Sequence, residues 1–230
     1  MNEHLKNIRN LMKYIFRYHK TLYIISAVVI LLSMVLDGFI GKFTRGVELI
    51  PVITLLLTVN IITHLIMFSR EVSKEYGKLL FMAPINGIDF ILGNLFEFIG
   101  SQLIITILPV IWNWIAAGKI TKPLFSIALP SFFGFLTFYL MVTAIMAIIN
   151  CYVKESGLRA LCVIGSLIIV NMIYSLISKL ILSILPYIYI SISGIYNTEI
   201  DLFSCLISIT ALIALQFCAA YHINNKLEIS

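Results

Sequence analysis

The stretch LIPVITLLLTVNIITHLIMF, residues 49–68, decides the fold. Its twenty residues include no Asp, Glu, Lys or Arg, and about 20 mostly apolar residues suffice for a helix to cross the hydrocarbon core of a bilayer. Backbone N–H and C=O groups find no water in lipid, so such a run must fold as a helix that pairs them internally. Five more runs repeat the pattern, at residues 21–39, 88–117, 124–150, 158–178 and 202–221, giving six predicted spans. Composition agrees. Of 230 residues, 60% are hydrophobic and 12% charged, and the mean hydropathy is +1.03. Soluble domains carry about 25% charged residues. The expected fold class is all-α: a polytopic membrane protein, one bundle of six transmembrane helices, with no room for a soluble catalytic domain.

Two segments flank this pattern. In residues 1–20, Leu5, Ile8, Met12, Ile15, Phe16 and His19 recur at spacings of three and four, with Lys6, Arg9, Lys13, Arg17 and Lys20 on the other side. This reads as an N-terminal amphipathic interfacial helix in the headgroup layer; the plainer alternative is the start of the first span projecting into water. It is not a signal peptide, because the apolar run that follows lacks a small-residue cleavage site. Residues 179–195 are too apolar for an ordinary loop and are interrupted by Pro186. They read either as an extracellular re-entrant or interfacial segment, or as the end of a long, tilted fifth span.

Orientation follows from Lys and Arg. One side of a six-span chain holds both termini and the loops after the second and fourth spans. It carries eleven basic residues, against five on the other: Lys42, Arg45, Lys119, Lys122 and Lys179. The richer side is expected to be cytoplasmic, placing both termini inside the cell membrane. This asymmetry accounts for the net charge of +5 better than nucleic-acid binding does, and no nucleic-acid partner is expected. Cys151, Cys162, Cys205 and Cys218 have no metal-binding spacing and read as small hydrophobes.

The loop after the second span, residues 69–87, differs from the others. Arg70, Glu71, Lys74, Glu75 and Lys78 fall at helical spacing opposite Val72, Tyr76, Leu79 and Leu80. Pro84-Ile85-Asn86-Gly87 then breaks the helix, and Asn86 with Asp89 reads as a cap for the next span. A simple connection needs only about four residues. A short cytoplasmic amphipathic helix clamped between two spans is a surface on which a partner can dock.

The run Arg70-Glu71, Glu75-Tyr76-Gly77, Leu79-Leu80 and Pro84-Ile85-Asn86 resembles the permease subunits of type-2 ABC exporters, as do the chain length, the six spans and the N-terminal amphipathic helix. Gly77-Lys78-Leu79 departs from the Gly-Thr-Leu common in that family. The resemblance implies a permease that moves a hydrophobic or amphipathic substrate outward, such as an antimicrobial peptide or lipid-like compound. It implies two soluble ABC ATPase subunits and a second permease subunit, identical or paralogous. It also implies that Arg70, Glu71, Lys74, Glu75, Gly77, Lys78 and Pro84 couple to the ATPase. No cofactor is then expected on this chain, ATP and Mg²⁺ being held by the partner. The chain's own Gly-Lys pairs agree: Gly41-Lys42, Gly77-Lys78 and Gly118-Lys119 are followed by Phe43, Leu79 and Ile120, not the Ser or Thr of a phosphate-cradling loop.

Polar groups inside apolar runs are costly, which makes each a candidate. Asn60 and His64 share a face of the second span; Asn94 and Glu97 lie on the third, with Gln102 and Asn113 beyond. They read either as interhelical bonds that set packing or as the lining of a partly polar substrate path. Asp37 reads as an interfacial acid near Lys42 or Arg45, and Asp89 as a helix-start charge. No zinc-protease, serine or aspartyl intramembrane-protease motif is present, so no enzyme activity is expected. Two alternatives stay open: an ion-coupled secondary transporter using Glu97, Asp37 or His64, and a non-transporting assembly or sensor subunit.

The topology is testable with Ser73→Cys in a background lacking the four native cysteines. The new thiol should be shielded from a membrane-impermeant reagent in intact cells and labelled in inverted vesicles; labelling in intact cells would reverse the orientation.

Overall fold

The computed structural model describes residues 2–44, 49–72, 86–117, 122–153, 155–184, 189–192 and 198–227. The fold is helical: α1 (Asn2–Thr44), α2 (Leu49–Glu71), α3 (Gly87–Ala117), α4 (Lys122–Tyr152), α5 (Ser156–Ile184) and α6 (Leu202–His222), with a π-helical turn at Ile223–Leu227. Six helices are long and apolar enough to cross a membrane, as expected of a multi-pass membrane protein.

α1 is continuous across the two segments that the sequence reading treats separately. It runs without a break for 43 residues, about 65 Å at 1.5 Å per residue, so residues 1–20 and 21–39 are one helix. No Gly or Pro separates them, and nothing in the backbone chemistry calls for a boundary at Lys20. Its basic residues Lys6, Arg9, Lys13, Arg17 and Lys20 are exposed, while Leu11, Ile15, His19, Ser26, Ile30 and Met34 form one buried stripe. Leu5 and Phe16, expected on the apolar stripe, are exposed instead.

The region of residues 179–195 is described in part. α5 continues to Ile184, and Tyr189–Ile192 (β1) pairs antiparallel with Thr198–Asp201 (β2), Tyr189 opposite Asp201 and Ile192 opposite Thr198. A two-stranded ladder satisfies the backbone groups between the two strands.

The chain divides into two compact units, residues 1–68 with 89–139, and residues 69–88 with 140–230. In the first, Ile30 and Met34 of α1, Leu49, Ile53, Leu56 and Leu57 of α2, and Ile105 of α3 form a buried cluster. A second cluster joins Ile61, Phe98 and Tyr139, the two rings stacked at 3.9 Å. α1 and α3 approach closely at Gly93, where a β-carbon would stand 2.6 Å from Leu11 Cδ2. Hydroxyls inside the apolar helices turn back onto their own backbone: Thr54 donates to the Ile50 carbonyl, Thr58 to Thr54 and Thr106 to Gln102.

The second unit has polar links of its own. The Gln216 amide donates to the Leu140 carbonyl at 2.7 Å, Tyr152 bonds His222 at 3.0 Å, and Tyr174 bonds Ser208. None of the spanning window of α5 is buried. Leu161, Ile164, Ile168, Met172 and Leu176 stand exposed along it, the surface expected of a helix solvated by lipid. The start of α3 is held by its neighbour in this unit: Asn224 Oδ1 accepts from the Gly87 N–H at 2.6 Å, satisfying one of the free donors of the first turn. A β-carbon on Gly87 would meet the Ala220 carbonyl oxygen at 2.7 Å.

Gly87→Ala and Gly93→Ala should therefore each lower stability by about 1–3 kcal/mol through overpacking. Gly100→Ala, where nothing lies within 4 Å of the added carbon, should be neutral or stabilising by up to about 1 kcal/mol from helix propensity. Thermal unfolding of the three variants in detergent checks the contrast.

Candidate functional site

α1, α2 and α3 each bring polar side chains to one place in the first unit. On α2, Asn60 and His64 are one turn apart and face inward; each is 2% exposed. On α3, Glu97 is 6% exposed and Ser101 8%. On α1, His19 is 4% exposed, and Tyr23 follows it at i+4 on the same face.

The bonds among them are specific. His64 Nδ1 meets the Asn60 carbonyl at 2.7 Å. A carbonyl only accepts, so Nδ1 carries the proton and donates. In the neutral ring Nε2 is then bare, and it lies 2.6 Å from Glu97 Oε2. That contact needs one proton between its atoms, on the carboxyl or on the imidazole. The pair is neutral in either case, which is the least costly arrangement inside a membrane. Tyr23 donates its hydroxyl to Glu97 Oε1 and stands 3.3 Å from His64 Nε2 and 3.5 Å from His19 Nδ1. The His19 and His64 rings lie with centroids 4.3 Å apart. One turn beyond Glu97, the Asn60 amide donates to Ser101 Oγ at 2.9 Å, and Ser101 donates to the Phe98 carbonyl.

Among the path candidates of the sequence, Asn60, His64 and Glu97 thus come together. Asn94 is buried on α3, its amide donating to the Phe90 carbonyl of its own helix. The side chains of Asn113 and Asp37 lie outside the described residues. Gln102 is fully buried, and neither amide atom is hydrogen-bonded among the described residues. Asp89, read as a helix-start charge, is in the first turn of α3 and accepts from His4 Nδ1 at 3.0 Å, tying it to the N-terminal end of α1.

Of the coupling candidates, Arg70 and Glu71 form the last turn of α2. Arg70 is exposed, but Glu71 is 5% exposed and Val72 fully buried. Glu71 does not belong to a solvated charged face there. Lys74, Glu75, Gly77, Lys78 and Pro84 lie outside the described residues, as does the expected coupling helix.

No protein-family model and no curated protein sequence matches the chain. Its chemistry is therefore argued from these contacts. His19, His64 and Glu97 each offer one donor atom, all within 4.8 Å of one another. A set of this kind can share a proton, hold a cation, or bond a polar group brought into the protein interior. His19 and Tyr23 were missing from the sequence-derived site. Their one signal is the spacing of a histidine and a tyrosine by four residues within an apolar helical stripe.

Replacing Glu97 by Leu should destabilise the protein by about 1–3 kcal/mol, because it removes the buried group to which both His64 Nε2 and the Tyr23 hydroxyl bond. Glu97→Gln should be milder: its amide N–H can donate to Nε2 and its carbonyl can accept from Tyr23. A double-mutant cycle of His64→Ala with Glu97→Ala should give a coupling of about 1–2 kcal/mol, read from equilibrium unfolding in mixed micelles.

Proposed function

We propose that this chain is the membrane-spanning permease subunit of an ABC exporter, moving a hydrophobic or amphipathic substrate outward while separate soluble subunits hydrolyse ATP. The observation that carries the reading is the segment between α2 and α3. It joins the ends of two spanning helices, and its residues Arg70, Glu71, Glu75, Gly77 and Pro84 match the pattern of the type-2 exporter permeases.

The helices on either side support a mechanical role. His64 precedes Glu71 by seven residues on α2, about 10 Å of rise. Glu97 follows Gly87 by ten residues on α3, about 15 Å of rise. A displacement of the segment would act on both partners of the His64–Glu97 bond through rigid helix. The buried, unbonded amide of Gln102 and the Asn60 Oδ1 atom, also without a partner among the described residues, are groups that a substrate's polar portion would satisfy. The Lys and Arg asymmetry supports a cytoplasmic position for the segment and for both termini. Small permeases of this type include self-protection pumps against antimicrobial peptides, and an amphipathic peptide or lipid-like compound would suit so apolar a chain.

The neutral, proton-sharing His64–Glu97 pair favours one rival, an ion-coupled secondary transporter. Such a protein would transport in liposomes under a proton gradient with no ATPase present.

Glu75→Ala and Gly77→Ala should reduce co-purification of the ATPase subunits at least about tenfold, as loss of an interface anchor does, and abolish ATP-dependent transport while the permease still reaches the membrane. Unchanged association and transport would remove the coupling role.

A further inference from the structure

The His19–Tyr23–His64–Glu97 cluster has the features of a metal shell. A metal-ligating histidine characteristically donates its other ring N–H to a carbonyl or carboxylate, which fixes the tautomer and turns the free lone pair toward the ion. His64 does this: Nδ1 is spent on the Asn60 carbonyl at 2.7 Å, and Nε2 faces the cluster. Zinc bonds nitrogen at about 2.0–2.1 Å and oxygen at about 2.0–2.2 Å in a tetrahedral shell, so its ligand atoms stand about 3.3 Å from one another. Tyr23 Oη lies 3.3 Å from His64 Nε2 and 3.5 Å from His19 Nδ1, close to two such edges. Two further separations, 2.6 Å from His64 Nε2 to Glu97 Oε2 and 4.0 Å from His19 Nδ1 to Glu97 Oε1, bracket the ideal edge, while the direct Tyr23–Glu97 contact is closer than a metal edge and would open on binding.

Charge points the same way. Two neutral imidazoles, one carboxylate and one phenolate around a divalent cation sum to zero. A neutral site is what a low-dielectric interior tolerates. Two imidazole nitrogens exclude Mg²⁺ and Ca²⁺, which take oxygen ligands, and suit first-row transition metals. The three ligands His19, His64 and Glu97 are all nine-tenths or more buried.

We propose that His19, His64, Glu97 and Tyr23 form a buried structural site for a divalent transition metal, Zn²⁺ fitting best, which clamps α1, α2 and α3 together. Four protein ligands leave no open position, the mark of a structural rather than a catalytic zinc. Binding displaces the proton shared by His64 and Glu97 and the phenolic proton of Tyr23. Each ion taken up therefore releases about two protons, and the charge balances.

The test uses the purified chain alone in nanodiscs, without any ATPase, so its failure leaves the exporter reading standing and the converse also holds. Titration with Zn²⁺ in two buffers of different ionisation enthalpy should show one ion per chain and release of about two protons. Co²⁺ in its place should give the strong visible absorption of a four-coordinate site. Tyr23→Phe should still bind, with about one proton fewer released and an altered Co²⁺ spectrum. Glu97→Gln, which keeps the hydrogen bonds of the cluster, and His64→Gln should each weaken binding at least about a hundredfold. His4→Ala, which removes a histidine bonded to Asp89 outside the cluster, should leave it unchanged. The wild-type titration stands even where a variant fails to fold: absence of stoichiometric binding overturns the site. So does binding that Glu97→Gln leaves intact, or binding that releases no protons.

Discussion

A polar side chain buried in a lipid-embedded protein must find its partner within the protein, because no water is at hand to complete its bonds. The contact between His64 and Glu97 meets that constraint, and much of the first unit is arranged around it. Neither residue can be buried alone at acceptable cost. Together they hold one proton and no net charge. Asn60 supports the pair from α2 by accepting the Nδ1 proton, and Tyr23 supports it from α1 by donating to the second carboxylate oxygen. The bond thus fixes the facing stripes of three helices, with apolar clusters packed beyond it along the same helices. Ile30, Met34, Leu49, Ile53 and Ile105 lie in one of them, and Ile61, Phe98 and Tyr139 in the other.

Close approach of backbone is the second requirement. For Tyr23 and His19 to reach Glu97, α1 must run near α3, and Gly93 provides the room: Leu11 occupies the volume that a side chain there would fill. Four residues separate Gly93 from Glu97, so the contact and the polar bond lie on neighbouring turns of the same helix. His4 and Asp89 extend the seam by one more turn toward the start of α3. Small residue, apolar knob and polar bond follow each other along one helix, the pattern by which membrane helices associate without a hydrophobic driving force between them.

How far the sequence carried this reading differs from element to element. The spans were legible because twenty residues without a charge have one viable backbone solution in lipid. Burial of Asn60, His64 and Glu97 was legible for the same reason, since polar groups in such runs are turned inward. The continuity of α1 was obscured by its basic residues, which mark the polar side of a helix but say nothing of where the helix bends. Only a breaker would have done that, and none stands between His4 and Leu36. His19 read as one more residue of an apolar stripe; its bonds to α2 and α3 depend on three-dimensional neighbours that no spacing encodes. The β1–β2 ladder carried a weak local signal, the alternation of Tyr189, Ile190, Ser191 and Ile192 ahead of Gly194, masked by an apolar content that reads equally as membrane-buried chain.

The two units differ in how their helices are held. In the first, three helices are cross-linked by a buried polar cluster in which His64, Glu97 and Tyr23 bond one another. In the second, the apolar run of α5 is largely exposed, and its bonds to α6 include the hydroxyl pair of Tyr174 with Ser208. A helix surrounded by lipid loses little when it shifts, because lipid tails and apolar side chains are equivalent solvents for it. A helix bound through a shared proton or a common ion shifts only as part of its group.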